Sequence, residues 1–470
     1  MTTKKIPLFG DAYRNVDEIE ANEKSVVIYD GWRDELGGAH RRPGLTSFAT
    51  LTTNIKIDAL YWWDDKAQIV AISAGAIYTI NTAGAYQLRS GATLLSGASV
   101  SFDTDGTYCF MAAGSRIVYM AETGNTIELS VPNAPTKSTH VAFIDGYLIA
   151  NEVGTRRFKW SNVNDSLAWG AASFASAEGA PDEITAIVVK NREIYLFGSQ
   201  SVELWESSGD TAVFSRVPGG FIQVGCSAPT SILYTDNFLF WLSDDATFVR
   251  YGGGGVEKVS SPYDKVLQDF TTVEDCIAYR IDVVGRTFLL FNFPTENRTL
   301  VYNATNDNWT EWGKWNSDTT AYDRFLGHCH CYCKGIRTNL IGSREHSEIY
   351  TLKEVNLTDD GDEVRFATLS GHVDHGSSIR KRNNKFRMRA KRGASVEASG
   401  ESSIAIRWCD NGKFWSREHS ISLGSQGPQE ILIALEPRGV YNTRQWEIVA
   451  SDLSSEIILV DAEEDFDFLR

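Results

Sequence analysis

Residues 141–150 read Val141-Ala142-Phe143-Ile144-Asp145-Gly146-Tyr147-Leu148-Ile149-Ala150. Two apolar segments rich in β-forming residues flank an Asp-Gly pair, which is the signal of a tight hairpin. The arrangement recurs from about residue 60 to residue 355. The first strands of successive units contain Leu60–Trp63, Val100–Phe102, Val141–Phe143, Ile187–Val189, Ile232–Tyr234 and Ile277–Tyr279. Their spacing of roughly 40–46 residues is typical of four-stranded propeller blades.

We therefore predict an all-β fold, a six-bladed β-propeller with an N-terminal arm and a C-terminal β-sandwich-like module. The predicted domains are the arm (1–55), the propeller (56–355) and the C-terminal domain (356–470). Six full units are followed by one extra hairpin, Phe325–Tyr350, whose strands we expect to close the ring by pairing with the first unit. The acidic segment Asn356–Asp362 reads as a linker.

Beyond the linker, about seven short strands in roughly 108 residues predict a small β-sandwich. These strands are Glu363–Leu369, Lys385–Arg392, Ser403–Trp408, Ser416–Leu423, Glu430–Leu435, Gln445–Val449 and Glu456–Val460.

Charge and cysteine content limit the possible functions. The 470 residues have a formal net charge of −16, which repels nucleic-acid phosphates and does not suit sequence-specific DNA binding. It suits a conduit through which DNA slides, or simply a highly soluble protein. We find no signal peptide and no transmembrane segment, and the seven scattered cysteines read as reduced thiols. We therefore expect the protein to fold in cytoplasm.

Three kinds of sequence feature contain residue types that can carry chemistry. His328-Cys329-His330-Cys331-Tyr332-Cys333 contains potential zinc ligands, but a strand spaces its alternate side chains too widely to bind one ion without a bend. Packing of small buried thiols is the favoured interpretation. Gly252–Gly255 lacks the Lys-Ser/Thr of a phosphate-binding loop, and Asp64-Asp65 and Asp244-Asp245 occupy hairpin turns. We predict no catalytic residue, no metal and no cofactor, so the protein is not expected to be an enzyme.

The densest charge lies in Arg380–Arg392, which holds eight cations in thirteen residues. From Lys385 onward the cations alternate with Phe386, Met388 and Ala390, so a strand would present one basic face and bury the other. The basic face is either solvated or in contact with an acidic surface, a neighbouring subunit or DNA phosphate. The candidate partner-interface residues are Arg380, Arg382, Lys385, Arg387, Arg389 and Lys391.

The segment Asp410-Asn411-Gly412-Lys413-Phe414-Trp415 follows the pattern Asp-x-Gly-x-x-Trp. It resembles the Asp-box hairpin of sialidase-type propellers. In that hairpin the Asp ties the loop and the Trp packs beneath it, so we expect a structural turn here.

Over nearly its full length the chain also resembles the tail nozzle proteins of short-tailed bacteriophages, known too as tail hub or packaged-DNA stabilisation proteins. The order of the motifs carries the likeness. They are Arg42–Leu45, Ser201–Glu206, Gln223–Ile232, Asn237–Asp244 with Gly252–Gly255, Trp408–Ser416, Leu423-Gly424 and Tyr441–Trp446.

The resemblance implies a homohexameric ring at the end of the virion tail, below the portal and adaptor rings. Such a ring forms the lower part of the DNA-ejection channel, lets double-stranded DNA pass without sequence-specific binding and retains the packaged genome through a plug or needle. It also docks tail fibres or spikes, and it assembles in the bacterial host cytoplasm. The alternative hypothesis is a glycan-binding or glycoside-hydrolase propeller, prompted by the single Asp-box-like segment.

Overall fold

The computed structural model describes residues 2–8, 26–209, 213–395, 402–424, 429–436, 439–450 and 455–469. Almost all regular structure in these residues is β-strand, which confirms the predicted all-β propeller class. The described part contains one α-helix, Asp264–Asp269, and three short 3-10 segments. These are Asp64–Lys66, Pro229–Ser231 and Ser261–Tyr263.

Six antiparallel four-stranded blades follow one another between residues 57 and 311, in the positions of the six predicted units. The first five are separate sheets, and the sixth is part of a larger sheet. Blade 1 contains Ile57–Trp63, Gln68–Ser73, Ala76–Ile80 and Tyr86–Leu88. Blade 2 contains Ser101–Thr104, Cys109–Ala112, Val118–Met120 and Ile127–Glu128. Blade 3 contains Val141–Ile144, Tyr147–Asn151, Arg157–Asn162 and Asp165–Ser176.

The next three blades repeat this order. Blade 4 contains Ala186–Lys190, Glu193–Phe197, Val202–Ser207 and Phe214–Ile222. Blade 5 contains Leu233–Tyr234, Leu239–Leu242, Phe248–Tyr251 and Val256–Lys258. Blade 6 contains Ile277–Val283, Arg286–Phe293, Arg298–Asn303 and Asn308–Glu311.

The turn residues named in the sequence produce these hairpins. Asp145 and Gly146 both have positive φ, 49° and 86°, as a two-residue type I′ turn requires. At Asp105 the side chain accepts hydrogen bonds from the backbone N–H groups of Thr107 (2.9 Å) and Tyr108 (2.7 Å), which fixes the turn.

Beyond these six blades a further four-stranded unit, which we call blade 7, completes the ring. The predicted extra hairpin supplies Gly327–Cys333, Thr338–Ser343 and Glu348–Lys353. The fourth strand, Gly44–Thr50, comes from the predicted arm and pairs antiparallel with Glu348–Lys353; we call it the closing strand. The expected pairing of the extra strands with the first unit is therefore wrong. An edge closed by a strand from the other end of the sequence leaves no local periodicity to detect.

Each pair of neighbouring blades encloses a separate apolar cluster. Trp63 of blade 1 packs with Cys109 and Met111 of blade 2. The last cluster joins blade 7 back to blade 1, with Cys331 and Cys333 against Ile69. These contacts complete a closed ring in which every blade buries both faces.

Two further sheets form the C-terminal sandwich. The strand order of the first sheet is Gly31–Arg33, Ala39–Arg41, Ser455–Phe468, Lys381–Ser395 and Gln429–Leu435. We call Ser455–Phe468 the acidic strand and Lys381–Ser395 the basic strand. Thr2–Lys5 also pairs with the acidic strand, and Val440–Tyr441 also pairs with the basic strand. The other contains Phe366–Leu369, Arg444–Ala450 and Ser402–Asp410, which pairs with Phe414–Trp415 and His419–Gly424. Phe386, Met388 and Ala390 face inward against Ile406 and Trp446, as the alternation predicts.

A short bridging strand, Val27–Tyr29, joins propeller and sandwich in one continuous sheet. It pairs parallel with blade 6 at Tyr29 and Glu311, and antiparallel with the sandwich strand Phe366–Leu369. Strands from the first 55 residues thus lie in blade 7 and in both sandwich sheets. Two small hairpins fill the joint between the domains. The connecting hairpin is Gly313–Asn316 with Ala321–Arg324, and the second is Thr358–Asp359 with Asp362–Glu363.

Among the described residues, no helix has the length and apolar character needed to cross a membrane.

Candidate functional site

The basic strand lies inside a sheet, between the acidic strand and Gln429–Leu435. Arg387 donates to Glu463 Oε1 at 2.5 Å and to both carboxylate oxygens of Asp465, at 2.6 and 2.7 Å. Arg389 donates to Asp461 Oδ1 at 2.8 Å and also to Oδ2. The sequence hypothesis placed acidic partners on a neighbouring subunit, whereas the structure supplies carboxylates from the same chain.

The remaining interface candidates have fewer contacts. Arg382 Nη2 lies 3.6 Å from Asp467 Oδ2. Arg380 and Lys391 are exposed, Lys385 is half-buried, and within the described ranges none of the three has a carboxylate in ion-pair distance. The cations of this strand that are available to a partner are therefore at its two ends and at Lys385.

The segment His328–Cys333 lies in Gly327–Cys333, the first strand of blade 7, which is between blades 6 and 1. Cys331 and Cys333 are buried in the core, and Cys329 Sγ lies 3.6 Å from the Ile57 carbonyl oxygen. Burial raises the pKa of the Cys329 thiol. His330 Nε2 lies 2.9 Å from Asn339 Oδ1, and burial lowers its pKa to about 4. The described residues contain no group of three metal-ligating side chains in binding position.

The Asp-box-like hairpin, Asp410–Trp415, lies in the sandwich. Its Asp has the expected role, whereas its Trp does not. Asp410 accepts two hydrogen bonds from the buried Arg444, at 2.6 and 3.0 Å, and this ties the loop as expected. Trp415 does not pack beneath it: the residue is 39% exposed, and Phe414 is 84% exposed. The hairpin strand Phe414–Trp415 is an edge strand, so its rings face solvent instead of a core.

Trp415 borders a cleft of about 350 Å³ at the joint between propeller and sandwich. The cleft is lined by the bridging strand, blade 6, the connecting hairpin and the sandwich, through residues that include Tyr29, Arg298, Glu311, Trp315, Tyr322, Arg407, Trp415 and Glu447.

Aromatic contacts fix the shape of this cleft. Tyr29 and Tyr322 stack with ring centroids 4.4 Å apart and planes 4° apart, and Trp315 meets Tyr322 edge-on at 5.0 Å. The Arg365 guanidinium lies 3.9 Å from the centre of the Trp315 ring. A concave surface with aromatic walls and a few polar groups at a domain joint is a typical binding site.

The polar groups of the cleft are charge-balanced. Arg298 Nη2 lies 2.7 Å from Glu311 Oε2, and Arg407 is paired with Glu447. The cleft therefore offers apolar and planar polar contacts without a strong net charge. Sequence reasoning missed it because its walls come from four distant segments, and no single motif marks it.

A buried arginine holds the same joint together. Arg42 Nε donates to Asp30 Oδ1 at 2.6 Å, and its two Nη atoms donate to Asp359 at 2.9 and 2.6 Å. Asp30 Oδ1 also accepts the Gly313 N–H at 2.9 Å. The guanidinium is 4.7 Å from the centre of the Phe325 ring. In the sequence, Arg42-Pro43-Gly44-Leu45 is recognisable only as a family motif, and the contacts place it where the ring closes.

Comparison with known families agrees with this architecture. Residues 35–356 match the family described as bacteriophage P22 Gp10, beta-propeller, a segment that covers more than half of the 470 residues. The chain belongs to the bacteriophage P22 Gp10 β-propeller family. It is therefore a phage structural protein of β-propeller type. The Gp10-type segment includes Arg42 and the closing strand and ends just after blade 7. No curated protein matches the sequence.

Solved structures give distant likenesses. Streptogramin B lyase has 10% identity and a TM-score of 0.45, with 66% of this chain and 98% of that chain covered. The extracellular domain of the putative hybrid two-component system BT4673 from B. thetaiotaomicron has 11% identity and a TM-score of 0.46, with 81% of this chain and 47% of that chain covered. The computationally designed Ika8 protein has 11% identity and a TM-score of 0.38, with 66% and 99% covered. Likeness at this level carries no information about function.

Proposed function

We propose that this Gp10-type protein is a tail nozzle subunit. Copies of it form a homohexameric ring below the portal and adaptor, at the distal end of the DNA-ejection channel. The ring retains packaged DNA, with a plug or needle protein in the channel, and docks tail fibres or spikes. Membership of the Gp10 family across the whole propeller is the observation that carries the proposal.

Two structural features support this role. The ring of blades is closed by a strand whose residues lie about 300 positions from their partners in sequence, and the bridging strand joins the sandwich to blade 6 by backbone hydrogen bonds. A ring subunit that resists internal DNA pressure needs domains that do not separate easily. The net charge of −16 also favours passage of DNA over adhesion, because like charges repel phosphate.

The proposal assigns a scaffolding role and no reaction. The Asp-box-like segment, which prompted the glycan hypothesis, lies in the sandwich and outside the seven blades. Assembly in the host cytoplasm and a position in the virion tail belong to the same proposal.

Stoichiometry on the preceding ring is the decisive measurement. Purified protein is mixed with a portal–adaptor complex and imaged by electron cryomicroscopy. We expect a closed ring of six copies, because heterologous contacts that close produce rings. Binding of single copies at saturation, or no binding, contradicts the proposal. Free protein run on a sizing column serves as the reference, since the acidic charge opposes self-association in solution.

Fibre or spike docking is tested at the cleft. Trp415→Ala removes the most exposed ring of its lining, and Leu36→Ala removes a 97% exposed side chain elsewhere as the matched control. We expect the first variant to form nozzle rings that bind fewer fibres or spikes, and the control to bind normally. Unchanged binding by Trp415→Ala places the docking surface elsewhere.

A further inference from the structure

Trp415 and the polar residues beside it lie on one face of a continuous sheet. Trp415 is paired with Cys409 in the sheet, and Arg407, two residues earlier on the same strand as Cys409, is paired with Glu447. Directly paired residues, and residues two positions apart along a strand, point to the same side of a sheet. Trp415, Arg407 and Glu447 therefore share the side of the sandwich sheet that lines the cleft.

The connecting hairpin contributes a second set of side chains, Trp315 and Tyr322, to the same cleft. Arg365 lies over the Trp315 ring, and its Nη1 donates to the Tyr322 hydroxyl at 3.0 Å. On the sheet side, the Arg407 guanidinium lies 4.9 Å from the centre of the Trp415 ring. Two indole rings are thus each held by an arginine, while Trp315 remains half-buried and Trp415 remains exposed. Part of each ring is therefore open to a ligand in an orientation that is already fixed.

The carboxylates of the cleft already have donors within the chain. Besides the two ion pairs of the cleft, Asp323 accepts hydrogen bonds from the Asn297 side chain at 2.7 Å and from the Asn316 side chain at 3.0 Å. Arg365 Nη2 also lies 3.6 Å from Glu447 Oε1. All three lining carboxylates and both lining arginines are therefore engaged, and a charged ligand would find no unpaired counter-ion here.

The same side chains retain unused hydrogen-bonding capacity. Arg407 donates to Glu447 through Nε, and within the described ranges neither of its Nη groups has an acceptor. The indole N–H groups of Trp315 and Trp415 also have no acceptor in the part of the chain that the structure describes. A carboxylate can accept about four hydrogen bonds, so the paired acids keep free acceptor sites. The cleft thus combines aromatic surface with donors and acceptors, without an excess charge.

We propose that this cleft binds a neutral saccharide. A sugar ring presents an apolar C–H face and a rim of hydroxyl groups, each of which both donates and accepts hydrogen bonds. The Trp315 and Trp415 rings suit the apolar face, and the paired Arg407 and Glu447 suit the hydroxyl groups. The volume of about 350 Å³ is within the usual range of small-ligand sites, roughly 300–1,000 Å³, and suits a short saccharide.

Other classes of ligand fit the cleft less well. Nucleic acid binding depends on cations that neutralise phosphate, and the lining arginines are already paired with carboxylates. A peptide that adds to a sheet needs a long open edge, whereas the edge strand Phe414–Trp415 has only two residues. The proposal concerns binding without cleavage. It is a property of the single chain and does not depend on ring assembly.

Titration calorimetry on the free full-length protein tests the proposal. The probes are the methyl glycosides of glucose, galactose, mannose and N-acetylglucosamine, each added up to its solubility limit. We expect at least one of them to bind the wild type at one site per chain. Trp415→Ala should weaken that binding by about tenfold or more, because the sugar loses its aromatic contact.

Phe414→Ala is the matched control for Trp415→Ala. Phe414 is the neighbouring residue of the same short strand, so its ring points to the opposite side of the sheet, and it does not line the cleft. This variant should bind the glycoside like the wild type. Circular dichroism of both variants checks that the fold is retained.

Three results overturn the proposal. They are no binding of any of the glycosides to the wild type, undiminished binding by Trp415→Ala, and equal weakening in Phe414→Ala. Crystals soaked with the bound glycoside give its position: density for the sugar against Trp415 supports the site, and density only elsewhere contradicts it. The titration contains neither adaptor nor fibre, so its failure is distinct from a failure of the nozzle role.

Discussion

Arg42 and Asp359 are 317 positions apart, yet two parallel hydrogen bonds join the guanidinium to the carboxylate at 2.9 and 2.6 Å. Arg42 lies two residues before the closing strand, and Asp359 follows blade 7. Leu45 and Asp359 are also paired in the sheet. The bidentate contact therefore fastens the first and last parts of the propeller segment at the point where the ring closes.

Arg42→Met should destabilise the protein by about 3–5 kcal/mol, because it leaves the buried carboxylates of Asp30 and Asp359 without their cation. Urea unfolding measures the loss. Arg417→Met, at an exposed position, is the control and should stay within about 0.5 kcal/mol of the wild type. An equal effect of both variants would remove Arg42 from the closing mechanism.

Gly44→Ala should be strongly destabilising, although the backbone of Gly44 is not in the left-handed region. An added Cβ would lie 2.2 Å from the carbonyl oxygen of Thr358, a backbone atom that cannot turn aside. Gly254→Ala is the matched control, because a Cβ there meets no atom within 4 Å. Chemical unfolding of both variants should show a loss of more than about 2 kcal/mol for the first and a change within about 0.5 kcal/mol for the second. Similar stabilities would refute the close approach.

The ion pairs between the basic and acidic strands can be tested by charge reversal. Reversal of Arg387 and Arg389 to Glu would place new carboxylates against Glu463, Asp465 and Asp461 within the same sheet. We expect this double variant to lose thermal stability in the sandwich, visible by calorimetry. A variant that melts like the wild type would show that these ion pairs contribute little.

Arg380 and Lys391 give a cleaner probe of the predicted partner interface. Both side chains are exposed and have no ion-pair partner in the part of the chain that the structure describes. Arg380→Glu with Lys391→Glu should leave folding intact, as circular dichroism can check, and should weaken ring assembly on the adaptor in a salt-dependent way. Normal assembly at low salt would identify the strand as a solvated face.

Asp103 should make stability depend on pH. Its carboxylate accepts the Phe143 N–H at 2.6 Å across blades 2 and 3, but burial raises its pKa from 3.8 to about 6. The folded state then binds more protons than the unfolded state between pH 4 and 6, so stability falls as pH rises through that window. Asp103→Asn should match the wild type near pH 4 and exceed it by roughly 1–2 kcal/mol at pH 7. A variant less stable than the wild type at pH 7 would show the opposite sign.

Local features of the sequence were sufficient to predict most of the strands. Hairpins such as 141–150 depend on neighbouring residues, so their turn chemistry predicts them. Each of the seven strands predicted beyond residue 362 overlaps a strand of the structure. The last strand, Ser455–Phe468, is much longer than the predicted Glu456–Val460, because Asp and Glu are unfavourable in strands and the apolar pattern ends at Val460. The acidic continuation is stabilised by Arg387 and Arg389 of the basic strand.

The candidate sites were much less predictable. The basic face could be identified from the sequence, but its acidic partners could not. Glu463 lies 76 positions beyond Arg387, and Asp461 lies 72 positions beyond Arg389, and pairs so far apart leave no periodic signal. The cleft beside Trp415 combines the bridging strand, blade 6, the connecting hairpin and the sandwich. Its shape depends on how these distant segments pack together, and this is a property of the three-dimensional arrangement.

By itself the sequence determined the β-rich repeat, the turn positions and the family, because each of these depends on residues near one another or on motif order. Tertiary structure decided the closing of the ring by Gly44–Thr50 and the union of propeller and sandwich through Val27–Tyr29. The physical reason is that edge strands pair through backbone groups, which every residue except proline carries in the same form. Which distant strand fills an edge therefore depends on shape and buried contacts such as those of Arg42.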